Sequence, residues 1–328
     1  MNRRQCAGLV AGLALVRPGF AQDRAGVRWK LATGYRAETF HGRNLAQFAA
    51  EAAQATQGVL AIELHANGAL FKLADIWPAC EQGQLDAGET IMTSLVKTLP
   101  IAGADSVPFV VSSYEDARRM WRHQRPLIER QFAARGLEVL YAVPWPPQGL
   151  FSTRPVAVSA DLKGSRMRTY NQTTVRIAQL LGAAPVDVPM VDVARALAAG
   201  RIDTMITSAV TGVENQVWSH VKHYYEINAW FPKNIVFVRQ AAMRSLDAAQ
   251  QLAVRRAALA AEARGWQASM AAALESVDEL RRRGMKVERV SPEFDKEIKR
   301  LGERFSLEWI RDVGREANEI FVPYYTQQ

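Results

Sequence analysis

At 328 residues, 48% of them hydrophobic, the chain can bury a large core, is unlike disordered or fibrous proteins, and is long enough for two lobes. Its formal charge of +8 comes from lysines and arginines scattered among nearly as many acids, which argues against a nucleic-acid-binding patch. Two cysteines and five histidines leave little material for a disulfide framework or a metal centre.

Residues 1–21 have the anatomy of a secretory signal peptide. Arg3 and Arg4 precede an apolar run at 6–16, and Gly19-Phe20-Ala21 forms a small-residue cleavage site. The run is shorter than the roughly 18–20 residues of a membrane span, so cleavage after Ala21 and a periplasmic location are expected. Losing Arg3, Arg4 and Arg17 lowers the formal charge from +8 to +5. Cys6 leaves with the signal, and Cys80, on an apolar helical face with Ile76 and Trp77, is expected to be a buried inert thiol.

Residues 29–33 alternate as a strand that runs into the loop Gly34-Tyr35-Arg36. Leu45, Phe48, Ala49 and Ala52 recur at helical spacing until Gly58. A strand at 60–64, a helix at 73–82 and a strand near 86–92 complete a βαβαβ order, the signature of a sheet covered by helices. Met120, Trp121, Leu127, Ile128 and Phe132 mark another helix, closed by Gly136 and followed by a strand at 137–143. Three prolines in Pro144-Trp145-Pro146-Pro147 fit neither a helix nor a central strand, so this segment is expected to be the first crossing between lobes.

A strand at 149–153 leads to the segment 161–174, DLKGSRMRTYNQTT. There Arg168 sits where a short strand hands over to a helix N-terminus. A guanidinium fork beside free backbone N–H groups suits a carboxylate. Helices are expected to 181 and over 193–199, closed by Gly182 and Gly200, then a strand over 202–207 ending in Thr207 and Ser208. Strands near 224–230 and 234–238 flank a second crossing at Phe231-Pro232. A long alanine-rich helix over 246–283, kinked at Gly265, a strand over 286–290 and a final helix from Ser291-Pro292 end the chain. Two βα-rich blocks joined by more than one crossing describe an α/β clamshell with its ligand at the strand ends.

These residues resemble the extracytoplasmic solute-binding proteins of tripartite ATP-independent periplasmic (TRAP) transporters, the DctP family. The likeness rests on Gly58, Ser106-Val107-Pro108-Phe109 before Ser113-Tyr114, the DLKGSRMR run, Gly182-Ala183 with Pro185, and the segment 196–203, ALAAGRID. It implies a two-lobed periplasmic-binding-protein (flytrap) fold with a long helix spanning both lobes. Lobe I is expected over 22–146 plus 233–273 and lobe II over 147–232 plus 274–328. It also implies capture of an organic-acid anion by the arginine matching Arg168 and delivery to a TRAP membrane permease. Ser208 stands where many members carry a ligand-binding asparagine. Gln148 replaces a second arginine of sialic-acid-binding members, and Val191 replaces their ligand-covering aromatic. Their acidic contacts fall near Leu73 and Ile91. Such losses point away from sialic acid and towards a ligand with fewer hydroxyls, an aromatic or a 2-oxo or 2-hydroxy monocarboxylate.

Other candidate ligand contacts are Tyr170 and Asn171 beside the clamp, and Trp145, Trp230 and Phe231 on the crossings. Tyr35, Arg36, Glu89 and Thr90 follow lobe I strands, and Glu89 could equally be a structural carboxylate. Arg166 is expected to face outward, and Arg281 to Gly284 to be a helix C-terminus matched to its dipole. His220 and His223 lack a third ligand and are expected to be a helical surface pair, so no metal or cofactor is expected. No G-x-S-x-G, HEXXH or paired Cys and His supports the rival secreted hydrolase, so a non-enzyme is expected. A stand-alone or sensory carboxylate receptor is the closer alternative, and monomer is the default state.

Overall fold

The computed structural model describes residues 26–326, so the proposed signal peptide lies outside the described residues. The strands are β1 (Val27–Ala32), β2 (Leu60–His65), β3 (Ala87–Ile91), β4 (Leu137–Pro144), β5 (Gln148–Ser152), β6 (Arg166–Thr169), β7 (Ala184–Asp187), β8 (Thr204–Ser208), β9 (His223–Tyr225), β10 (Lys233–Arg239) and β11 (Lys286–Glu288). They form a five-stranded sheet in the order β2-β1-β3-β10-β4 and a six-stranded sheet in the order β11-β9-β5-β8-β6-β7. In the first, β10 runs antiparallel between β3 and β4. In the second, β6 is parallel to β7 and β8. Each sheet is the centre of one lobe.

The helices are α1 (Phe40–Ala55), α2 (Ile76–Glu81), α3 (Tyr114–Ala133), α4 (Gln172–Leu180), α5 (Val193–Ala198), α6 (Ala209–Glu214), α7 (Gln240–Arg244), α8 (Ala248–Arg282), α9 (Pro292–Val313) and α10 (Arg315–Thr326). Local chemistry sets several of their starts. Thr39 Oγ1 accepts from the Gly42 N–H, Ser113 caps α3, and Asp247 with Gln250 forms a reciprocal capping box on α8. The 35-residue α8 packs on α1 and β4 at one end and on α6 and β11 at the other, so it spans both lobes.

The helix α8 is continuous through Gly265, where a kink was expected. A Cβ at that position would lie 2.4 Å from Val143 Cγ2 and 2.9 Å from Asn44 Nδ2, so the glycine serves close approach. The C-terminal helical stretch also differs from expectation. Gly314, at φ 73°, ends α9 and starts a separate α10 that packs on α3 of the first lobe, so residues 274–328 do not all lie with lobe II.

The strand expected over 224–230 is short. After Tyr225 the chain turns irregular, with Asn228 at φ 45°, because its backbone is drawn into the crossing. There Phe109 N–H donates to Ala229 O, Ala229 N–H to Gln148 O and Gln148 N–H to Trp230 O. His223 belongs to β9, paired with Lys286 and stacked on Tyr225, so His220 and His223 are not a helical pair. One core gathers Trp29, Leu31, Phe48, Tyr141 and Val236 on the first sheet, and another Phe151, Met205, Tyr224 and Leu280 on the second. Each such side chain contributes about 1.5–3 kcal/mol of burial.

Candidate functional site

Between the lobes lies a cleft of about 530 Å³. It is walled by the carboxyl ends of β1 and β3 on one side and of β6, β7 and β8 on the other, with both crossings at its base. This is where an open α/β sheet exposes unpaired backbone and loop side chains to a ligand.

Arg168 reaches the cleft from β6 and is only 4% exposed. Its Nε donates to Val188 O at 2.9 Å, which orients the guanidinium plane. Its Cζ lies 4.7 Å from the centroid of the Tyr170 ring. Among the described residues its Nη1 and Nη2 have no hydrogen-bond partner, and no carboxylate comes within ion-pair distance. Burial lowers its pKa, opposed by Tyr170, Tyr35 and Asp187, yet an arginine remains charged at any physiological pH. A buried cation with unused donors is costly unless an anion completes it.

Around this centre the structure gathers Tyr35, Trp145, Gln148, Tyr170, Val191 and Ser208. Tyr35 packs on Trp145 with ring centroids 5.2 Å apart, and together they form an aromatic wall. Burial pushes the Tyr170 hydroxyl up to about 12 against the pull of Arg168, so it is a neutral donor. Gln148 Nε2 donates to Pro146 O at 2.8 Å. Ser208 caps α6, its Oγ accepting from Thr211 N–H, and Val191 is 46% exposed at the rim.

The other candidates lie elsewhere. Asn171 caps α4 and donates from Nδ2 to Thr93 Oγ1 at 2.7 Å, a bond that joins the two lobes. Glu89 is 1% exposed behind the cleft wall, accepting from Thr33 Oγ1 and Asn234 Nδ2. Thr90 donates to Leu73 O and shares a hydrogen bond with Ser94. Trp230 lines an apolar void with Leu150, Ile177 and Phe294, and Phe231 packs edge-on against Tyr114. Arg36 bonds Glu214, and Arg166 pairs with Asp203 on the outer surface.

Residues not anticipated include Asn67, Lys72 and Ser94 from the first lobe, and Asp187, Met190 and Asp192 from the second. Asn67-Gly68, both at positive φ, is a turn at the carboxyl end of β2, and Asp187 ends β7. The strand-end rule that located Tyr35 would have found both. Among the described residues no group of three or more His, Cys, Asp or Glu is placed to hold a metal ion. None of the described helices is long and apolar enough to cross a membrane.

Residues 31–310 match the family model DctP, bacterial extracellular solute-binding protein, family 7. DctP6 of Bordetella pertussis, an extracytoplasmic solute receptor binding pyroglutamic acid, is 33% identical. That alignment covers 92% of this chain and 100% of the receptor, with a TM-score of 0.90. A TRAP solute-binding protein from a marine metagenome, specific for pyroglutamate and solved with the co-purified acid, is 34% identical. It covers 92% of this chain and 99% of its own, with a TM-score of 0.89. A solute-binding protein of Albidiferax ferrireducens is 27% identical over 223 residues, 64% of this chain and 64% of that relative's length.

Proposed function

The chain belongs to the DctP family, bacterial extracellular solute-binding protein family 7, and we propose that it captures a compact monocarboxylate such as pyroglutamate in the periplasm and delivers it to a TRAP permease. The observation that carries this reading is the buried Arg168 guanidinium, whose outer nitrogens have no hydrogen-bond partner among the described residues. A carboxylate bound to both nitrogens would restore the hydrogen bonds and the charge balance lost on burial.

Pyroglutamate has one carboxylate on a five-membered lactam ring, with one N–H donor, one carbonyl acceptor and no hydroxyl. Its carboxylate would pair with Arg168, and its ring would lie against Tyr35 and Trp145. Gln148, Tyr170, Asp187 and Thr207 supply polar partners for the lactam. The relatives that bind this acid are a third identical to the chain, and the acid's single negative charge suits a cleft in which, among the described residues, Arg168 is the buried cation.

The mechanism is binding without chemistry. The crossings at 144–147 and 231–232 would act as hinges, and a ligand that touches both lobes favours the closed arrangement by its differential contacts. Asn171 with Thr93, and Arg36 with Glu214, are bonds available to that closed arrangement. Mass spectrometry of the acid released from gently purified, denatured protein tests the ligand. Calorimetry with pyroglutamate tests the anchor: Arg168→Lys should weaken binding roughly 10- to 100-fold, the worth of a lost charged hydrogen bond. Unchanged affinity in that variant would remove Arg168 from the site.

A further inference from the structure

Resting on the cleft as the ligand site, we infer that Glu89 is a positioning residue: through Asn234 it holds the Trp145 indole in the wall against which the ligand's ring lies. Glu89 is 1% exposed and Asn234 and Thr33 are fully buried, so none of them meets a ligand directly. Each hydrogen bond in the group is nevertheless directional. An amide nitrogen and an indole N–H only donate, so their partners here must accept. Glu89 Oε1 receives Asn234 Nδ2 at 3.0 Å, which leaves the Asn234 amide one orientation. In that orientation Asn234 Oδ1 faces the crossing and accepts from Trp145 Nε1 at 2.8 Å.

A second arm runs the other way. Glu89 Oε2 accepts from Thr33 Oγ1 at 2.6 Å, and Thr33 Oγ1 in turn accepts from the Tyr35 N–H at 3.2 Å. One arm therefore ends on the Trp145 indole and the other on the Tyr35 backbone N–H, beside two rings that meet at 56°. His41 fills the space between them, its ring 4.4 Å from Trp145 and its Nδ1 3.4 Å from Glu89 Oε1. Only the Asn234 arm reaches a side chain of the wall, so it is the arm that sets a ring's orientation. Asn234 is the second residue of β10, the strand that leaves the second crossing, so the same contact ties ring orientation to the hinge.

The test uses the mature chain with pyroglutamate as probe. Glu89→Gln keeps a carbonyl for Asn234 and should bind within about threefold of wild type. Glu89→Met keeps the volume but removes the acceptor, frees the Asn234 amide to turn, and should weaken binding about tenfold or more. In a Trp145→Phe background the same Glu89→Met change should cost less than twofold, because the indole it acts through is gone. Should Glu89→Met fold poorly, Asn234→Leu makes the same cycle with Trp145→Phe. A ligand-free readout separates this inference from the choice of ligand: the Trp145 indole ¹⁵N–¹H resonance, assigned by its loss in Trp145→Phe, should move in Glu89→Met and stay in Glu89→Gln. An indole signal unmoved by Glu89→Met overturns the inference, as does equal damage from Gln and Met. A wild-type protein that ignores pyroglutamate would refute the proposed ligand while the indole signal still decides the role of Glu89.

Discussion

Arg36 and Glu214 join the two lobes. The arginine Nη2 donates to the Glu214 backbone oxygen at 3.1 Å and lies 3.6 Å from its Oε2, too far for a good hydrogen bond to the carboxylate. Burial consequently prevails over Arg36 and raises the Glu214 carboxyl from the ordinary 4.5 to about 7. Arg43 lowers it slightly and Glu38 raises it.

A pH dependence follows, with a definite sign. Between 4.5 and about 7 the folded chain holds a proton that the unfolded chain has released, so this contribution is full below 4.5 and is lost as pH rises through 7. Glu214→Gln, which cannot ionise, should remove about 1–3 kcal/mol of pH-dependent stability over that window. Thermal unfolding of both proteins at a series of pH values measures it, and parallel curves would contradict the assignment.

Arg168 should trade stability for binding. Its burial without a carboxylate is unfavourable in the empty protein, and the single bond to Val188 O recovers only about 1 kcal/mol. Arg168→Met should therefore unfold at the wild-type temperature or above it without ligand, and lose the stabilisation that saturating ligand confers. A variant with a much lower melting temperature in the absence of ligand would mean that the guanidinium is compensated in a way the geometry does not indicate.

Gly265→Ala should destabilise, although alanine is the better helix former by about 1 kcal/mol. The added methyl would meet Val143 and Asn44 well inside contact distance, and overpacking of this kind costs about 1–3 kcal/mol. Denaturant unfolding should show a lower midpoint with an unchanged slope. A raised midpoint would show that α8 can shift away from β4.

Cys80 is buried, and burial pushes its thiol up to about 12. The native protein should react with a thiol-specific disulfide reagent at pH 8 at least a hundredfold more slowly than the same protein in denaturant. Rapid native labelling would place Cys80 on an opening segment.

Most elements were legible because their signals are local. Apolar spacing and the terminal glycines Gly58, Gly136, Gly182 and Gly200, all at positive φ, mark helix ends without reference to anything distant. Arg168 was legible for the same reason, since its strand, the helix after it and the motif around it all lie within residues 161–180. Glu89 was not. Which way a residue of β3 faces, and whom it meets there, depends on β10, whose Asn234 lies 145 positions further along the chain. Trp145 and Trp230 look alike in sequence, each within two residues of a proline at a crossing. The bond to Asn234 and packing on Tyr35 hold the Trp145 indole at the cleft, while the irregular path of residues 226–232 sets Trp230 against the apolar void.

The amino-acid sequence by itself determined the α/β alternation, the proline crossings and the long helix, and it offered Arg168 at a strand-to-helix junction, which the family resemblance singled out as a carboxylate anchor. These follow from periodicity, backbone-restricted residues and side-chain chemistry, which act over a few residues. Only the tertiary structure decided that Tyr35 and Trp145 form one wall, that Asn171 and Arg36 bond across the lobes, and that Glu89 stands behind the wall. Such relations depend on strand register and lobe packing, where one residue's surroundings are set by partners distant in the chain.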